Sequence, residues 1–134
     1  MDKTKVRAEF SICGDQFDLN KVTEKLGINP SETRVTGVIP EGKKRPSIET
    51  SWSISTDKED SYDVDVQTKK VLLLITEKVE ELCEIKEKMN VSFILSLIVE
   101  VENGEKPALH FTSDTISFLG KIGAETDIDL YIYS

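Results

Sequence analysis

Four cations crowd into one stretch of this sequence. Arg34, Lys43, Lys44 and Arg45 lie between positions 33 and 48, opposed only by Glu41, a net +3 within a chain of formal net charge −8. Trp52, the only tryptophan, follows them. A guanidinium or ammonium beside an aromatic ring could hold a phosphate or a carboxylate, with stacking as a second handle. Arg34, Lys43, Lys44, Arg45 and Trp52 therefore form one candidate ligand-binding set. The plainer account is a solvated hairpin tip next to a core tryptophan, because Ile48 and Ile54 alternate onto the face of Trp52.

A second candidate set ends the chain. Asp127, Asp129, Tyr131 and Tyr133 alternate with Ile128, Leu130 and Ile132, which predicts a sheet strand with the three aliphatic residues against helices and the tyrosines on the opposite face. Tyrosine joins apolar area to a polar tip and is enriched at interfaces, so these four are candidate interface residues. An ordinary solvated sheet face would carry the same pattern.

Other chemistry finds less support. The carboxylates of Asp57, Glu59, Asp60, Asp63 and Asp65, and of Glu125, Asp127 and Asp129, could serve hydrolysis or a hard cation. The first group lacks the glycine and closing glutamate of a calcium loop, and Asp63 and Asp65 suit a helix N-terminus. His110, the only histidine, sits between Leu109 and Phe111 as an ordinary strand residue would. Cys13 and Cys83 share no ligand spacing with it. Ser11, Ser51, Ser53, Ser55, Ser92 and Ser96 fall on polar strand faces, none in a nucleophile elbow. No catalytic residue, metal site or cofactor is expected.

Composition narrows the class. At 134 residues the chain is expected to form one domain over residues 1–134. The net charge of −8 argues against nucleic acid and anionic membranes as partners, and allows a basic protein. Two cysteines 70 positions apart read as free thiols of a reducing cytosol. The chain from Met1 leads directly into a strand with no signal peptide, and its longest apolar run, Val71 to Ile75, is too short to span a bilayer.

The elements that must position these residues follow from periodicity. Val6, Ala8, Phe10 and Ile12 alternate with polar residues as a strand. Asp18 caps a short helix carrying Leu19, Val22 and Leu26, stopped by Gly27. Thr33–Val38 and Ile48–Ser55 read as two strands joined by a long loop with two prolines and a glycine. The helical pattern from Tyr62 to Met89 would run about 42 Å if unbroken. A domain of this size has a radius of gyration of about 14 Å. A break is therefore expected near Thr76, which could cap the next helix. Val91–Glu102 is the strongest strand, and Asn103-Gly104 a tight turn into another through Ala108–Phe111. Ser113 caps a helix ended by Gly123, and the last strand follows.

The order β-α-β-β-α(α)-β-β-α-β describes an α+β fold. It predicts a largely antiparallel sheet of about six strands with helices on one face, a ferredoxin-like βαββαβ start and a C-terminal βαβ addition.

Several segments stand together in sequence: Phe10-Ser11-Ile12-Cys13-Gly14-Asp15-Gln16-Phe17-Asp18, Leu26 to Thr33, and Ser51-Trp52-Ser53-Ile54-Ser55-Thr56. Glu102-Asn103-Gly104, Phe118 to Glu125 and Asp127 to Tyr131 complete the set. This ordered set resembles the bacterial domain of unknown function 4279 family over nearly the whole chain. The resemblance implies a small, single-domain, mostly bacterial protein. It implies no activity and carries over no functional residues.

The residues themselves point to a cytosolic, non-enzymatic binding module acting through a sheet face or an acidic edge, such as an immunity-type inhibitor or an adaptor meeting a basic protein. The alternatives are a receptor or enzyme for a small anion at the basic loop near Trp52, and a homodimeric scaffold built through the last strand or an edge strand.

Overall fold

The computed structural model describes residues 3–133. Met1, Asp2 and Ser134 lie outside the described residues. The elements run β1 (Lys5–Gly14), α1 (Leu19–Leu26), β2 (Glu32–Arg34), β3 (Thr50–Ser55), β4 (Glu59–Asp60), α2 (Val64–Leu72), α3 (Val79–Met89), β5 (Ser92–Val101), α4 (Ser113–Ile122) and β6 (Ala124–Ile132). The class is α+β. Six strands form one sheet in the order β2-β3-β1-β5-β6, with β4 beside the start of β1. Every neighbouring pair is antiparallel except β5 with β6.

Alternation sorts the two faces. Val6, Ala8, Phe10 and Ile12 of β1, Trp52 and Ile54 of β3, and Phe93, Leu95, Leu97, Val99 and Val101 of β5 are all buried on one side. There they meet Val22 and Leu26 of α1, Val64, Val71 and Leu72 of α2, Leu82 and Ile85 of α3, and Leu119 and Ile122 of α4. Among the described residues the other side of the sheet carries no helix.

The helix boundaries obey local chemistry. Asp18 accepts hydrogen bonds from the backbone N–H groups of Asn20 and Lys21, and Gly27 closes α1 at φ 67°. The long helical pattern breaks between Leu72 and Val79, as its length requires. Thr76 is not the cap of α3, however. Its hydroxyl donates back to the Leu72 carbonyl at 2.7 Å, and Lys78 occupies the cap position without a side-chain bond. The cap of α4 is Thr112, one residue earlier than expected.

Three further sequence expectations are corrected. Ala108–Phe111 is not a strand. Asn103 and Gly104 do turn with positive φ, 54° and 71°, but β1 and β6 already fill both edges of β5. The chain crosses instead to α2, where Ala108 donates to the Tyr62 carbonyl and accepts from the Val64 amide. Ile48 does not join Trp52 in the core. It precedes β3 and is 93% exposed.

The third correction concerns β6. It lies in the sheet, but Ile128, Leu130 and Ile132 do not pack against helices. They share the helix side with their register partners Leu97, Val99 and Val101, yet stay 41%, 48% and 71% exposed. Length explains this. The ten residues of α4 cover about 15 Å. The nine residues of β6 extend about 30 Å, so its second half outruns α4.

Candidate interaction face

The helix-free side of the sheet is where polar side chains converge. Because β1 lies between β3 and β5, alternate residues stack into rows across four strands. Ser53, Ser11, Ile94 and Glu125 form one row, and Ser55, Glu9, Ser96 and Asp127 the next. Arg7, Ile98 and Asp129 form a third, and Lys5, Glu100 and Tyr131 a fourth. At one end the segment from Ser47 to Glu49 rises as a wall, next to Glu32 and Arg34 of β2. Together they enclose an open cup of about 430 Å³.

A hydrogen-bonded rail crosses its floor. Arg7 Nη2 donates to Glu9 Oε2 at 2.5 Å, and Ser11 Oγ donates to Glu9 Oε1 at 3.2 Å. Ser11 and Ser53 share a hydrogen bond of 2.8 Å. Both serines are buried. Burial of this kind in a polar floor is stable because each hydroxyl is satisfied.

The cup is acidic. Glu9, Glu32, Glu49, Asp127 and Asp129 line it against Arg7 and Arg34. Both guanidiniums are already paired, Arg7 with Glu9 and Arg34 with Glu32 at 2.8 Å. Glu49, Asp127 and Asp129 remain without an ion pair among the described residues. Cys13 registers this field. Burial, then the adjacent Glu49 carboxylate and Glu9, push its thiol up to about 11. A thiol so held is a poor nucleophile.

All four candidate interface residues have places here. Asp127 and Asp129 line the cup, Tyr131 stands opposite Glu100, and Tyr133 follows the end of β6. The two tyrosines are about half exposed. Glu100 is held by Lys58 at 2.5 Å.

The basic set is divided. Arg34, Lys43, Lys44 and Arg45 do surround a second open concavity, about 440 Å³, with Pro40, Pro46 and Ile48. Trp52 is not part of it. Its side chain is fully buried on the helix side, and its indole N–H donates to Thr23 Oγ1 at 3.0 Å. Among the described residues no aromatic ring lines that concavity.

The remaining chemistry-bearing residues have structural partners. Asp63 caps α2 by accepting from the Asp65 amide. Asp65 is buried and accepts from the Thr112 amide and Lys69. His110 is exposed, 3.9 Å from Asp63. No group of three or more His, Cys, Asp or Glu side chains among the described residues could hold a metal ion. No helix among them is long and apolar enough to cross a membrane.

Sequence reasoning missed much of the lining of the cup: Arg7, Glu9 and Cys13 of its floor, and Glu32 and Glu49 at its end. The signal was the polar half of each alternating strand, including the strand serines. What makes it a site is the strand order, which stacks those halves side by side. No curated protein and no solved structure matches the chain. One family model, a domain of unknown function (DUF4279), matches residues 4–133, and the chain belongs to that family.

Proposed function

We propose that the protein is a cytosolic, non-enzymatic binding module whose open sheet face receives a positively charged protein. The observation that carries this reading is the carboxylate excess of a preformed cup whose cations are already neutralised from within. A lysine or arginine entering it meets Asp127, Asp129 and Glu49 without displacing an existing ion pair. Tyr131 and Tyr133 beside the cup add exposed amphipathic area of the kind that anchors interfaces. The sheet supplies rigidity, so little ordering entropy opposes docking. The buried, unreactive thiol of Cys13 favours binding over catalysis. An immunity-type inhibitor or an adaptor is the specialisation this surface fits.

Affinity capture from extracts of the source cells tests it. The wild-type chain should retain a basic protein reproducibly. The pair Asp127→Lys and Asp129→Lys should abolish retention, and Tyr131→Ala with Tyr133→Ala should weaken it by about tenfold or more, each with unchanged circular dichroism. Capture of no basic protein, or unchanged capture by the folded variants, would reject the reading.

A second reading has its own observation. Four cations, only Arg34 of them paired among the described residues, surround one concavity. That arrangement suits a small phosphate or carboxylate, held by charge without stacking. Calorimetry with pyrophosphate should then show binding that Lys43→Ala and Arg45→Ala remove.

A further inference from the structure

We infer that the protein pairs with a second copy of itself through β6, antiparallel and centred on Leu130, so that two sheets join into one.

The outer edge of β6 pairs with no strand among the described residues. Proteins blunt exposed edges with short strands, charged side chains (lysine above all), proline or bulges. This strand has nine residues, contains neither lysine nor proline, and stays in step with β5 from Ala124 to Ile132; its charges, Glu125, Asp127 and Asp129, all fall on the cup side. The Tyr133 amide donates inward to the Val101 carbonyl. Backbone direction alternates along a strand, so Ile128, Leu130 and Ile132 aim their N–H and C=O groups outward. The same three residues carry the uncovered apolar side chains of β6. Unpaired backbone and unpaired apolar surface therefore coincide.

The charge pattern selects the occupant. A two-fold axis at Leu130 sets Leu130 against its mate, Ile128 against the mate's Ile132, and Ile132 against the mate's Ile128. On the cup side it sets Asp129 against the mate's Tyr131 and Asp127 against the mate's Tyr133. Every outward backbone group in this core finds a partner, all three aliphatic residues meet aliphatic residues, and no carboxylate meets a carboxylate. Moving the axis to Asp129 would bring two aspartates face to face in the closer kind of antiparallel pair, where like charges destabilise. Moving it to Tyr131 would leave Ile128 without an aliphatic mate. The strand is thus self-complementary in one register, as a symmetric interface requires. The pairing also turns both cups to the same side of one continuous sheet. Each cup then gains the partner copy's tyrosines along its Asp127–Asp129 rim.

Sedimentation of the full chain across a wide concentration range tests the inference independently of what the cup binds. The expected result is a mass rising to twice 15.1 kDa. Dimer should strengthen as added salt screens the net charge of −8 on each copy. Leu130→Lys would set two ammonium groups together at the axis and should leave only monomer. Cysteine cross-linking in a Cys83→Ser background covers the case in which Leu130→Lys fails to fold. Leu130→Cys should form a disulfide-linked dimer on mild oxidation, and Thr126→Cys, far from its mate, should not. Monomer at every concentration, a dimer indifferent to Leu130→Lys, or equal cross-linking at both positions would overturn the inference.

Discussion

Cys13 and Asp65 show the same physics with opposite results. Around Cys13, burial and the carboxylates of Glu49 and Glu9 all oppose ionisation, and the thiol is pushed up to about 11. Exposed Cys83 should therefore react rapidly with a thiol reagent near pH 8, and Cys13 only after unfolding; equal labelling of both in the native protein would contradict the acidic field of the cup. Around Asp65, burial also opposes the charge, but hydrogen bonds from Thr115, Lys69 and the Thr112 amide outweigh it and hold the carboxyl below the usual range. A depressed folded value means the unfolded chain takes up the proton first as pH falls. The stabilisation is fully present above about pH 4, the ordinary aspartate range, and is lost as pH drops through the folded value. Urea melts should accordingly show Asp65→Asn less stable than wild type at neutral pH, with the gap narrowing in acid. Trp52 gives the largest expected single effect. Trp52→Ala removes a fully buried side chain and should cost about 3–5 kcal/mol, and an unchanged melt would contradict its burial.

Element lengths decide what is covered. The unbroken helical pattern from Tyr62 to Met89 was too long for the domain, and the chain breaks where that argument says it must. The apolar row of β6 misled for a related reason. Alternation reveals that Ile128, Leu130 and Ile132 share a face, but whether a helix reaches over them depends on the path of α4, which no local pattern encodes. Ala108–Phe111 failed as a strand because both edges of β5 were taken by elements distant in sequence. The turn from α4 into β6 is a strict local requirement by contrast. Gly123 adopts φ 67°, and an added Cβ would meet Lys86 Nζ at 2.5 Å. That ammonium donates to the Gly123 carbonyl at 2.7 Å. Gly123→Ala should therefore lower stability by about 1–2 kcal/mol through left-handed strain, with further loss from the displaced lysine. A thermal melt equal to wild type would show that the turn tolerates a side chain.

For the whole molecule, charge is unevenly distributed. The chain is acidic, its open sheet face carries a local carboxylate excess, and its loop cations gather at the neighbouring concavity. Asp127, Asp129 and the tyrosines were legible as candidates because strand alternation is local. Glu9, Ser11 and Ser53 became part of the same site only through strand order, which composition and spacing do not encode. Trp52 was drawn to the basic loop by sequence proximity, and the pleat turned it to the opposite side of the sheet. The central claim is that this open face binds positive charge, and amide chemical-shift mapping of the full chain with a hexalysine peptide tests it most directly. The account predicts salt-sensitive shifts at Glu9, Ser11, Ser53, Ser96, Asp127 and Asp129, with the helix amides unmoved. Shifts confined to α1–α4, or spread evenly over every surface carboxylate with no preference for the cup, would contradict it.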